Sequence, residues 1–124
     1  GIKRIKQAKI NELKNICNQT ILNGIQVELS DNQYHHFELS IEDQINLLEI
    51  RQMIKDGQQS FVYHETGGEC KVFSAEDMKS IINCAYAHKQ DNITKFNKLK
   101  RYVNSLSSID DVIKVTYSLE MIVK

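Results

Sequence analysis

Two stretches decide how this chain is organised: Phe37-Glu38-Leu39-Ser40-Ile41-Glu42-Asp43 and Lys71-Val72-Phe73-Ser74-Ala75-Glu76-Asp77. In each, a strand-like run ends at a serine, and acids follow two and three positions later. The serine oxygen can accept the backbone N–H three residues on, and carboxylates favour the positive end of a helix. The phrase therefore marks the exit from a hairpin and the start of a helix. Ser40 and Ser74 lie 34 positions apart, so the exit is used twice.

Working outward, Ile25-Gln26-Val27-Glu28-Leu29 alternates as a half-buried strand. Ser30-Asp31-Asn32 turns the chain, and Tyr34 to Leu39 returns. After Ser40 a helix runs from Ile41 to about Asp56 with a broad apolar face of Ile45, Leu47, Leu48, Ile50 and Ile54, and Gly57 ends it. The second unit repeats the order. Phe61 to His64, a Glu65-Thr66-Gly67-Gly68 turn and Cys70 to Phe73 form a hairpin, and Ser74 starts a long helix from Ala75 to about Ser105. Its stripe is Met78, Ile81, Ile82, Ala85, Phe96, Leu99, Val103 and Leu106. Lys89, Gln90, Asp91 and Asn92 interrupt it, so the helix bends there or that turn leaves the core.

Upstream, Ile2 to Asn23 reads as a helix through Ile10, Leu13, Cys17 and Thr20, widened by Ile16 and Ile21 and stopped at Asn23-Gly24. Its first nine residues hold Lys3, Arg4, Lys6 and Lys9 and no acid, which reads as a solvated first turn or as a segment packing on another domain or subunit. Downstream, Ser107-Ser108 with Asp110 and Asp111 caps a short last helix, and a β-branched tail closes the chain.

The expected fold is α+β: an N-terminal helix, two β-hairpins each followed by a helix, the second long, and a short C-terminal helix. The two hairpins are expected to share one small antiparallel sheet. With no proline and no low-complexity stretch, residues 1–124 read as a single domain. The chain opens at Gly1 without methionine, which fits the terminal domain of a longer protein.

Sixteen basic and sixteen acidic residues cancel, so no overall field draws the chain to nucleic acid or a membrane surface. The longest apolar runs fall far short of the roughly 20 residues that span a bilayer. Cys17, Cys70 and Cys84 show no paired spacing and read as free thiols.

Candidate chemistry is sparse. A structural zinc site shows close Cys or His pairs, and none exists. His35 and His36 are adjacent on a strand and point to opposite faces. Cys70 with His64 across the turn is the minimum for a thiolate nucleophile, but nothing in the sequence supplies oxyanion donors. Glu42/Asp43 and Glu76/Asp77 are explained as first-turn acids. Gly67-Gly68 lacks the surroundings of a phosphate loop. His88 reads as an ordinary helix histidine. Lys89, Lys95, Lys98, Lys100 and Arg101 spread round more than one helix face and read as solvated. No catalytic residue, metal site or cofactor is expected.

The order of elements carries a resemblance. Lys9-Ile-Asn-Glu-Leu-Lys14 leads into a hairpin, Leu39-Ser-Ile-Glu-Asp-Gln-Ile-Asn-Leu47 follows, then Phe73-Ser-Ala-Glu-Asp77, Ala87-His-Lys89 and Ser108-Ile-Asp-Asp-Val112. From about Lys6 to Tyr117 this resembles a small domain family recurrent in tail-fibre, baseplate and tail-assembly proteins of bacteriophages and prophages. Members often have alanine-rich helices, whereas these are rich in isoleucine and lysine. The resemblance implies a non-enzymatic tail module working by protein–protein contact, in the virion or in the host cytoplasm during assembly. Its partners would be other tail proteins, and fibre symmetry adds a homo-oligomer, a trimer first. The alternatives are a tail-fibre assembly chaperone and a nucleic-acid-binding regulator. Residues expected at a partner interface are Ile2, Arg4, Ile5, Met121, Ile122 and Val123, which show no core partner in the sequence.

Overall fold

The computed structural model describes residues 1–122. In chain order these form α1 (Ile2–Asn23), β1 (Ile25–Glu28), β2 (Tyr34–Phe37), α2 (Ile41–Lys55), β3 (Ser60–Tyr63), β4 (Lys71–Ser74), α3 (Ala75–Ser105) and α4 (Ile109–Ile113). This is the expected α+β order of a first helix, two hairpins each followed by a helix, and a short last helix.

The strands form two separate two-stranded antiparallel sheets rather than one shared sheet. β1 pairs β2 with Ile25 opposite Phe37, and β3 pairs β4 with Phe61 opposite Phe73. β2 is shorter than expected because the chain peels away after Phe37. The Leu39 N–H donates to the Leu22 carbonyl at the end of α1 (3.1 Å) instead of to β1. A two-stranded hairpin is marginal alone and needs a helix over its apolar face.

The described chain forms two compact units, one of residues 21–89 and one of Gly1–Thr20 with the chain from Gln90 onward. In the unit of residues 21–89, Phe37, Tyr63 and Phe73 form an aromatic triangle with centroids 6.0, 6.0 and 6.2 Å apart. Leu39, Leu47, Met78 and Ile81 pack into the same core. Burial, with the Asp43 charge adding to it, pushes the Tyr63 hydroxyl up to about 12. Ser40 and Asp43 form a complete capping box, each side chain taking the other's backbone N–H at 3.0 Å. Gly24, at φ +94°, turns the chain out of α1, and a Cβ there would collide with the Phe37 carbonyl oxygen.

The second phrase uses its acid differently. Ser74 Oγ accepts the Asp77 N–H at 3.1 Å, as expected. The Asp77 carboxylate does not return to the cap. It accepts the Ser30 N–H (3.0 Å) and hydroxyl (2.9 Å), fastening the start of α3 to the first hairpin's turn.

In the other unit the core is Ile10, Leu13, Leu99, Val103, Val112 and Val115. The polar turn of α3 does not leave the core as a whole, and α3 is unbroken through it. Asn92 is the one buried polar residue among the described residues. Its Oδ1 accepts the Tyr117 hydroxyl at 2.7 Å and its carbonyl accepts the Cys17 thiol at 3.4 Å. The basic start of α1 is not a solvated turn throughout. Lys6 donates to the Asn104 carbonyl (3.0 Å), and Lys9 donates to the carbonyls of Ile113 (3.1 Å) and Val115 (3.0 Å).

Candidate functional site

The site is a groove within the unit of residues 21–89. The 3.6-residue period of α2 turns Leu47 and Ile50 into the core. Ile54 packs half-buried against the same core, but the other apolar side chains of that helix do not follow. Ile41, Ile45 and Leu48, spaced by four and three, form a second stripe that stays 66, 52 and 64% exposed. The broad apolar face read from the sequence is thus two stripes, one buried and one open. On α3, Ile81 points inward, while Ile82 and Tyr86 lean toward α2, with Tyr86 64% exposed.

Between them lies a cavity of about 640 Å³ lined by Leu39, Leu47, Leu48, Arg51, Ile82 and Tyr86, among others. Ligand-binding clefts fall in the range of about 300–1,000 Å³. A smaller hollow of about 210 Å³ shares Arg51, Ile82 and Asn83 with it and adds Ile54, Lys55 and Lys79. One end is held by a short relay. Lys89 Nζ donates to Gln44 Oε1 (3.0 Å), and Gln44 Nε2 donates to the Leu39 carbonyl (3.0 Å). Arg51, Lys55, Lys79 and Lys89 line the two hollows, and no carboxylate among the described residues does. On a chain whose sixteen cations and sixteen anions cancel, this is a local concentration of positive charge. The groove offers apolar surface and cations, which suits binding.

The interface residues expected from the sequence lie elsewhere. Ile2, Ile5, Met121 and Ile122 are half-buried against the core of the other unit, so the ground for choosing them, the lack of a core partner, does not apply. Arg4 is exposed, and Val123 lies outside the described residues. His64 Nδ1 lies 3.2 Å from the Glu65 carbonyl and its ring stacks on Tyr63, with no hydrogen bond to Cys70 among the described residues. Cys70 is exposed, and burial pushes the half-buried Cys84 thiol up, away from thiolate. Among the described residues no three His, Cys, Asp or Glu side chains are placed to hold a metal ion. Lys95 sits 4.5 Å from the Tyr117 ring centroid, so one member of the basic stretch is engaged within its unit. His35 and His36, set aside as metal ligands, instead join the two hairpins. His35 Nδ1 meets Glu65 Oε2 at 3.0 Å, and His36 Nδ1 meets Thr66 Oγ1 at 2.8 Å.

Residues 4–117 match the family described as Domain of unknown function (DUF4376). The chain belongs to that family. The DUF4376 match takes in α1 from its third residue, every later element through α4, both capped hairpin–helix junctions and every groove-lining residue. No curated protein and no solved structure matches the chain. Among the described residues of this DUF4376 chain, no helix is long and apolar enough to cross a membrane.

The groove was missed in the sequence although part of its signal was there. α2 carries more apolar residues than one core stripe needs, and of the surplus at Ile41, Ile45 and Leu48 it is Leu48 that lines the groove. The α3 wall leaves no such trace, because Tyr86 reads as one aromatic among many.

Proposed function

We propose that this chain is a non-enzymatic module of a bacteriophage or prophage tail that works by protein–protein contact, with the α2–α3 groove as its docking surface. The groove is the observation that carries the contact function. It sets Leu48 and Tyr86, both largely exposed, beside an apolar floor in a cavity of about 640 Å³. Exposed apolar surface gathered in a concave site is the usual mark of a binding surface. The tail setting rests on the sequence resemblance over about Lys6 to Tyr117, and the location follows from it: the virion, or the host cytoplasm during assembly.

The test is a photo-crosslinking residue at position 48, in cells producing the particle, with mass spectrometry of purified particles alongside. The expected result is a crosslink to a fibre or baseplate protein, with the chain present in particles at fixed stoichiometry. A crosslink to a fibre protein in cells, with the chain absent from particles, makes it an assembly chaperone. Absence from particles together with no tail protein among the crosslinks overturns the proposal.

A further inference from the structure

We infer that the groove takes an acidic amphipathic helix of the partner protein. The inference rests on the reading of the groove as the docking surface and adds what that surface recognises.

Backbone accounting disfavours a strand-forming peptide. Such a peptide adds to a free sheet edge or to unpaired backbone groups, because its own N–H and C=O groups have no internal partners. The groove has neither. Every lining residue lies within α1, α2 or α3 except Leu39. The Leu39 N–H is given to the Leu22 carbonyl and its C=O accepts the Gln44 amide. A segment buried there must satisfy its own backbone, and a helix does so.

The walls then set the spacing. The two hollows share Arg51, Ile82 and Asn83 and both lie against α2, whose 15 residues extend for about 22 Å. A helix laid in such a groove seats apolar anchors at i, i+3 or i+4, and i+7. The main hollow receives them over Leu47, Ile82 and Ala85, with Leu48 and Tyr86 as flanking walls.

Charge sets the rest. Arg51, Lys55, Lys79 and Lys89 flank the two hollows, with no carboxylate lining them among the described residues. Glutamates or aspartates beside the anchors would meet these cations, whereas lysines there would be repelled.

The probe is a displayed library of helix-forming peptides of about 20 residues, enough for about 30 Å of helix. It is selected against the whole chain and counter-selected against Leu48→Glu. Leu48, Arg51 and Lys79 are exposed, so their variants should keep the wild-type circular dichroism and melting temperature. The expected winners place apolar anchors at i, i+4 and i+7 with acids beside them. The resynthesised peptide should lose at least about tenfold in affinity against Leu48→Glu and about tenfold against Arg51→Glu/Lys79→Glu, and should weaken with salt. Four results overturn the inference: no enrichment; neutral, basic or extended winners; binding indifferent to Leu48→Glu; or self-association that Leu48→Glu abolishes, which would put a second copy in the groove. If these fail while position 48 still crosslinks to a tail protein, the docking surface stands and its acidic-helix specificity falls. If acidic helices bind but no tail protein is captured, the tail setting falls alone.

Discussion

His35 joins the two hairpins to each other through Glu65, its Nδ1 standing 3.0 Å from the Glu65 carboxylate 30 residues further along the chain. Its other nitrogen, Nε2, stands 2.7 Å from Asp31 in the first hairpin's own turn. A neutral imidazole has one N–H, so only the imidazolium can donate to both carboxylates. The charged state is what ties the hairpins together.

The first prediction is a pH dependence. The Asp31 carboxylate first and the Glu65 carboxylate second raise the His35 pKa above 6.5. A raised folded value gives stability that is fully present below the unfolded value and is lost as pH rises through the folded one. Wild type should therefore exceed His35→Gln in melting temperature in mildly acidic buffer, and the gap should close as pH climbs past 6.5. Asp31 behaves oppositely: the Gln33 N–H first, then His35, lower it below 3.8, so its contribution is lost only in stronger acid. A gap that stays constant from about pH 6 to about pH 9 would contradict the ion-bridge reading.

The diverted acid gives the second. Asp77 contacts Ser30 across 47 residues, so a double-mutant cycle of Ser30→Gly and Asp77→Asn should show coupling of about 1 kcal/mol. The local caps should behave differently. Ser40→Ala should cost about 1 kcal/mol and add independently to the Ser30 change. Urea titrations of the variants measure both, and additivity at Ser30 and Asp77 would remove the long-range tie.

Third, Asn92 should be intolerant of apolar replacement. Tyr117→Phe removes the hydroxyl shared between Asn92 Oδ1 (2.7 Å) and the Asn92 carbonyl (3.4 Å) and should cost about 1 kcal/mol. Asn92→Leu leaves the Tyr117 hydroxyl without its closest acceptor, at 2.7 Å, and should cost more, about 1–3 kcal/mol. Equal stabilities of Asn92→Leu and wild type in chemical denaturation would show that the buried amide is not holding the tyrosine.

Fourth, Gly24→Ala should be among the most damaging single changes. Holding alanine at a φ of +94° costs about 1–3 kcal/mol, and the added Cβ meets the Phe37 carbonyl, which belongs to a paired strand and cannot move freely. Gly57→Ala, at φ +100° with open space around it, carries the backbone cost alone. A Gly24→Ala melting temperature no lower than that of Gly57→Ala would contradict the close approach.

How much of this was legible in the sequence follows from how far apart the interacting groups are. The caps at Ser40, Ser74 and Ser108 join residues three apart, and all three appear in the structure with the serine oxygen accepting the expected N–H. The stops at Gly24 and Gly57 are equally local. What Asp77 and His35 do was not legible, because their partners lie 47 and 30 residues away and depend on how the hairpins meet. The same holds for Ile2 and Ile5, whose packing partners sit at the far end of the chain.

By itself, then, the sequence determined the order helix, hairpin, helix, hairpin, helix, helix, since capping, turn formation and periodicity act within a few residues. Only the tertiary structure decided which apolar faces are covered and which stay open. Leu47 and Leu48 are neighbours of the same type on one helix and both line the groove, yet one is buried and the other 64% exposed. Burial depends on what another element brings opposite: Leu47 meets a core that holds Met78 and Ile81 of α3, while Leu48 stays exposed beside Arg51 and Lys89.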